Sequence, residues 1–162
     1  MTKGKVSDFK GTPVYEGKNV SLGDVLFRGK IDEAFYIDTR DIPKWQKAKG
    51  AKKILRKKGN HEYLWSEGKI PFPDNLNTAS RTLITSEGGK SVSRVRHVVI
   101  DNKGRYRRLI PIELERLNLF PENFTLFKDI KDNKRAFLMG NALVVGIVEK
   151  IGTSLSRILD KI

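Results

Sequence analysis

Apolar and polar positions alternate in short bursts along most of this chain and settle into a helical rhythm near its end. Val144, Val148, Ile151, Leu155, Ile158 and Ile162 fall four and three apart, which predicts one apolar stripe on a helix beginning near Gly140 and Asn141. Gly152 is a point of interruption, with Thr153 or Ser154 restarting the next piece. Pro111 suits the first turn of an earlier helix running roughly to Leu119, with Glu113 and Glu115 where the N-terminal dipole favours acids. Phe120-Pro121 stops it. Near the start, residues 21–27 (SLGDVLF) read as a short capped helical turn and residues 34–37 as a brief extended segment.

The middle of the chain, residues 63–99, reads as strands and loops. Residues 70–74 (IPFPD) are extended, because each proline restricts its predecessor. Residues 81–85 (RTLIT) are a β-rich run ending at the Gly88-Gly89 turn signal. Residues 94–100 (RVRHVVI) alternate as a strand, and Asn102-Lys103-Gly104 predicts a hairpin turn into residues 105–109. The pattern therefore predicts an α+β chain, a small irregular β-rich domain followed by a helical segment. So long an apolar stripe in so small a chain needs a surface to pack on, which another domain would supply.

Charge changes this picture most. Thirty-two Lys and Arg against nineteen Asp and Glu leave a net charge of +13, which points to a polyanionic partner. A membrane is the weaker candidate: the longest apolar run, residues 142–148 with Gly146 inside it, is too short to span a bilayer. No apolar signal stretch follows Met1. Residues 42–61 hold Lys44, Lys47, Lys49, Lys52, Lys53, Arg56, Lys57 and Lys58 and no Asp or Glu. A solvated lysine-rich surface competes here with a DNA-facing segment; the single sign of charge and the intervening Trp45 favour DNA.

The chain has no cysteine, which removes disulfides, zinc–thiolate sites and thiol nucleophiles together. His61 and His97 lack a second ligand at metal spacing, so no metal site is expected. Ser86-Glu-Gly-Gly-Lys-Ser91 invites a phosphate-loop reading, but that pattern needs a glycine where Ile84 stands. A plain hairpin turn and a DNA-approaching loop, with donors from Ser86, Lys90, Ser91 and Arg94, both remain for it. Glu113 and Arg116, three apart on one helix, are placed to pair. No carboxylate pair or Ser-His-Asp arrangement stands out.

Two longer stretches are more specific. Residues 108–121 (RLIPIELERLNLFP) resemble the ninth motif of the cytosine-C5 DNA methyltransferases, Arg-x-Leu-Thr-Pro-x-Glu-x-x-Arg-Leu-x-Gly-Phe-Pro, with Ile110 for the usual Thr and Leu119 for the usual Gly. Residues 139–152 (MGNALVVGIVEKIG) resemble the tenth motif, a Gly-Asn followed by small and β-branched residues. Residues 79–89 (ASRTLITSEGG) are similar to the target-recognition segment carrying the family's Thr-Leu pair. All three follow the family's order. The similarity is strong over the last half of the chain and vague before about Ile70.

The resemblance implies a division of the chain into a connecting segment (1–41), a target-recognition domain with the ninth motif (42–121) and a tenth-motif helical segment (122–162). Thr82 and Leu83 would face the major groove of double-stranded DNA, with Arg81, Ser86, Lys90 and Arg94 beside them on one recognition loop. The other loop would fall within residues 49–66, with Lys52, Lys53, Lys57 and Lys58. Glu113 and Arg116 would be structural. Gly140, Asn141 and Ala142 would help close the S-adenosylmethionine pocket, and the last helix would pack on a Rossmann-like catalytic domain.

The family's Pro-Cys nucleophile, its Glu-Asn-Val motif and its glycine-rich cofactor motif do not occur in these residues; Glu122-Asn123 is followed by Phe124. The resemblance thus implies a DNA-reading, cofactor-closing part of a bacterial, cytoplasmic restriction–modification enzyme, inactive without a partner bearing those motifs. Met1 leaves a natural split subunit and a truncated enzyme both open. A stand-alone basic nucleic-acid-binding protein is the alternative; it accounts for the charge and leaves the Gly-Asn helix unexplained.

Overall fold

A computed structural model describes residues 4–6, 8, 10–12 and 17–160, and among them lie five α-helices, two 3-10 turns and four short strands. The helices are α1 (Leu22–Val25), α2 (Ile42–Lys49), α3 (Pro111–Leu117), α4 (Asp132–Asn141) and α5 (Val145–Leu159). The strands form two separate antiparallel pairs: β1 (Lys52–Lys58) with β2 (His61–Glu67), and β3 (Val98–Ile100) with β4 (Tyr106–Arg108). The architecture is α+β.

The expected turn at residues 21–27 forms because Asp24 turns back to accept the Ser21 backbone N–H at 2.8 Å. Residues 34–37 differ from expectation. Asp32 accepts the Ala34 N–H at 2.7 Å and winds Glu33–Phe35 into a 3-10 turn; the chain becomes extended only at Tyr36, which bridges Arg107. The β3–β4 hairpin turns at residues 101–105 as expected, with Gly104 at φ +77°. Residues 81–85 join no ladder, and only Val98–Ile100 of the 94–100 run is strand. The chain bends at 94–96, where the Arg94 side chain is engaged with the Gly50 carbonyl and the Arg96 side chain with the Ser86 carbonyl.

The apolar core gathers Leu22, Val99, Leu109, Leu114, Ala136 and Met139, bringing α1, β3, α3 and α4 together. Trp45 is also buried, anchoring α2; it is a core residue and not part of a DNA-facing surface. Charged side chains fill much of the remaining interior. Glu113 is fully enclosed and takes four hydrogen bonds, two from Arg107 at 2.7 and 2.8 Å and one each from the Phe27 and Ile110 N–H groups at 2.9 Å. It therefore pairs with Arg107 and not with Arg116, which bonds Glu122 instead. Glu115 pairs with Arg135 at 3.0 Å and accepts from Thr125. Burial pushes the Glu115 carboxyl up, but the Thr125 and Arg135 hydrogen bonds outweigh it and hold the group below the usual range.

Helix α3 ends two residues earlier than the sequence predicts. Leu119 takes the left-handed conformation (φ 61°), so its N–H reaches the Arg116 carbonyl and the Phe120 N–H the Glu115 carbonyl. That is the Schellman arrangement, and it is why glycine is the usual residue of the ninth motif here. The last part of the chain also departs from expectation. Gly140 and Asn141 close α4, a helix the sequence did not predict, and the next helix starts only at Val145. Asn118 fixes this break: its side-chain amide donates to the Met139 carbonyl at 2.8 Å and its own carbonyl accepts the Val145 N–H at 3.0 Å. Gly152 does not interrupt α5.

Asp132–Leu159 taken as one stretch is long and apolar enough to cross a membrane by length and composition. Extended backbone at Ala142 and Val144 divides it. Fifteen-residue α5 alone reaches only about 22 Å, against a hydrocarbon core of about 30 Å. Its stripe finds no cover: no residue of α5 is buried, and Val148, Ile151, Leu155 and Ile158 are all exposed. Ile162, the last residue of the predicted stripe, lies outside the described residues.

Candidate nucleic-acid interface

The first half of the basic window forms α2, and its second half forms β1, which pairs with β2 in a two-stranded ribbon. Seven register pairs run from Lys52↔Glu67 to Lys58↔His61, and Gly59 (φ 62°) with Asn60 forms the two-residue connection. Among the described residues β1 packs chiefly against β2. Leu55 and Leu64 stay exposed on one face, as does Tyr63 on the other. Lys53, Lys57 and Lys58 are exposed and Lys52 half-buried; Glu62 approaches Lys57 at 3.7 Å. A ribbon of this width is an element that fits the major groove of duplex DNA.

Its base is locked to the body. Arg94 donates to the Ala48 and Gly50 carbonyls at 3.1 and 2.6 Å, to the Gly68 carbonyl, and pairs with Glu67 at 2.9 Å. Lys49 is buried: its ammonium donates to the Arg96 carbonyl at 2.5 Å and lies 3.9 Å from Asp74. Burial pushes this ammonium down to about 8, with Asp74 opposing the shift. Asp74 also holds Arg81 at 2.6 Å and accepts the Val98 N–H at 2.8 Å.

The loop carrying Thr82 and Leu83 stands beside that base on a polar frame. His97, wholly enclosed, places Nδ1 2.9 Å from Glu87 and Nε2 3.2 Å from the Ser80 hydroxyl, so one ring ties both ends of the loop 80–87 together. Arg96 donates to the Ser86 carbonyl at 2.5 Å, and Arg108 to the Gly88 and Gly89 carbonyls at 3.1 and 3.2 Å. Two glycines let α4 press on the loop. A Cβ on Gly140 would lie 2.4 Å from the Ile84 and Thr85 backbone, and one on Gly88 would lie 2.7 Å from Asn133 Cα. Thr82, Ser86 and Lys90 are exposed on this frame, whereas Leu83 packs against the core.

The residues singled out in sequence thus separate. Thr82, Ser86, Lys90, Lys53, Lys57 and Lys58 are open to solvent; Arg81 and Arg94 hold the scaffold together. Gly140 and Ala142 line a cleft of about 670 Å³ with Thr82, Leu83 and Arg116, joining the tenth-motif residues to the Thr-Leu segment. The Ile84–Thr85 backbone lies close beside the Gly140 Cα, where a side chain would not fit. Asn141 donates to the Phe137 carbonyl at 2.9 Å and is exposed, leaving its amide oxygen available. No group of three His, Cys, Asp or Glu side chains among the described residues is placed to hold a metal ion. The frame of Ser80, Glu87 and His97 was not legible in sequence, since its members are dispersed and carry no motif.

The C-5 cytosine-specific DNA methylase family matches residues 7–157, nearly the whole chain. The chain belongs to that family. It is 40% identical over 159 residues to the type II methyltransferase M.Sau3AI of Staphylococcus aureus, covering 98% of this chain and 37% of that protein. The solved structure of the Entamoeba histolytica methyltransferase EhMeth shares the fold, with a TM-score of 0.59 at 17% identity over 94% of this chain and 46% of that one. The chain therefore spans less than half the length of either relative.

Proposed function

We propose that this chain is the target-recognition and cofactor-closing part of an S-adenosylmethionine-dependent DNA (cytosine-5-)-methyltransferase of a restriction–modification system. The observation that carries the reading is the basic β1–β2 ribbon, standing off the body beside the exposed Thr82, Ser86 and Lys90. Lys52, Lys53, Lys57 and Lys58 contact phosphates of double-stranded DNA, while the Thr82 loop lies over the recognition site. Arg81 and Arg94 support these surfaces, and Leu83 seats the loop in the core.

The methyl group comes from S-adenosylmethionine held mainly by a catalytic domain outside these residues. Gly140, Asn141 and Ala142 close its pocket, and Gly140 also seats α4 on the loop. No cysteine occurs in the chain, so the thiolate that attacks the flipped-out cytosine belongs to a partner domain or subunit with the Pro-Cys and Glu-Asn-Val motifs. The exposed stripe of α5 fits packing on that domain, which favours this reading over a stand-alone nucleic-acid-binding protein.

The test mixes the chain with a catalytic half bearing both motifs and follows labelled methyl transfer from S-adenosylmethionine to duplex DNA. Transfer is expected from the mixture and from neither part alone. A mixture that associates and binds DNA without transferring methyl groups would overturn the split of labour.

A further inference from the structure

The two faces of the ribbon differ in chemistry. Paired residues of an antiparallel ladder share a face, which groups Ile54 with Trp65, Arg56 with Tyr63 and Lys58 with His61. The guanidinium carbon of Arg56 sits 4.1 Å from the centre of the Trp65 ring. Arg56 is exposed, and among the described residues its N–H groups meet no carboxylate and no carbonyl. The half-buried Arg81 and Arg94 of the neighbouring segments differ: both are engaged with acids or backbone oxygens.

We propose that Arg56 is the base-reading residue of the ribbon and takes the O6/N7 edge of a guanine in the major groove; this rests on the target-recognition reading above. Stacking on an indole uses the face of a guanidinium and leaves its edge, a planar fork of donors, pointing outward. Such a fork needs two adjacent coplanar acceptors. In the major groove only guanine presents them: adenine pairs an acceptor with a donor, cytosine offers a donor, and thymine one acceptor beside a methyl group. A phosphate would also accept a fork, but it does not require one held in a fixed orientation. Lys58 on the same face, and Lys53 and Lys57 on the opposite face, already supply mobile charges suited to phosphate.

Selection of the full chain on duplexes with a randomised core, followed by titration in salt, tests the assignment. The wild-type chain should favour guanine at one position. Arg56→Lys should erase that preference, a loss of roughly 5- to 150-fold in discrimination, with other positions and the salt slope unchanged. Trp65→Leu should weaken the same position only, because the charge stays and the platform goes. An unchanged preference in Arg56→Lys would overturn the proposal. So would a uniform fall in affinity in Arg56→Ala with a salt slope smaller by about 1, the signature of a phosphate contact. Binding without any base preference would overturn the Arg56 assignment alone, whereas failure to bind any duplex at low salt would overturn the target-recognition reading with it.

Discussion

Removing the Glu113 carboxylate should come close to unfolding the protein. Glu113→Ala leaves the Arg107 guanidinium buried without its counter-ion, and Arg107 is only 1% exposed. Breaking a buried pair from one side costs about 3–5 kcal/mol. The Phe27 and Ile110 N–H groups lose their acceptor at the same time, at roughly 1–3 kcal/mol each where water cannot enter. These costs overlap, so about 4–5 kcal/mol is the working figure, against a total stability of about 5–15 kcal/mol.

Urea unfolding followed by tryptophan fluorescence reports it. With a slope of about 2 kcal/mol per molar, the midpoint should fall by about 2 M. Combining Arg107→Met with Glu113→Ala should recover part of the loss, because the stranded charge is gone while the two N–H groups stay unpaired. A single-mutant midpoint within about 0.5 M of wild type would refute the claim that this carboxylate braces motif nine against the N-terminal segment.

Four further outcomes follow from other sites. Gly140→Ala puts a methyl 2.4 Å from the Ile84–Thr85 backbone, so it should cost about 1–3 kcal/mol in thermal unfolding and weaken DNA binding with it; an unchanged melting temperature would contradict the close approach. Leu119→Gly relieves a left-handed residue and should be neutral or stabilise by up to about 1 kcal/mol, while Leu119→Val should destabilise; the reverse order in thermal melts would refute the strain. Lys49 keeps its proton in both states below about pH 8, so the folded state bears the full cost of burying the charge there. As pH rises from about 8 towards 10.5 the folded state releases its proton first, and stability should gain roughly 3 kcal/mol relative to Lys49→Met, a gain that urea midpoints would reveal or deny. Replacing Lys52, Lys53, Lys57 and Lys58 by Ala should flatten the salt dependence of DNA binding by about 3 to 4 in slope; an unchanged slope would remove these lysines from the phosphate contacts.

Elements announced by local chemistry could be read from sequence: the Ser21–Asp24 turn, the hairpin at Asn102–Gly104 and the proline-led α3. The ribbon could not, since in Lys52–Lys58 the two apolar residues are adjacent and lysines hide any alternation. The one usable signal was Gly59-Asn60 between runs of equal length. Helix α4 is not predicted, because its closing Gly-Asn reads as the beginning of the last helix. Among the candidate site residues, the exposed lysines were legible as a charge run, whereas the roles of Arg81 and Arg94 were not. Their partners, Asp74 and the carbonyls of Ala48 and Gly50, stand up to 46 residues away in sequence, and a charge bonded inside the fold looks the same in a sequence as one facing solvent.

The meeting of Gly140 with the Ile84–Thr85 backbone, and of Gly88 with Asn133, has a mechanical meaning. Side chains in contact can change rotamer and take up a small displacement; bare backbones cannot. At these two points α4 and the segment after Thr82 meet with no side chain between them to take up a displacement. A shift of the helix beside Asn141 therefore bears directly on the backbone of the Thr82 loop, and a shift of the loop bears back on the helix.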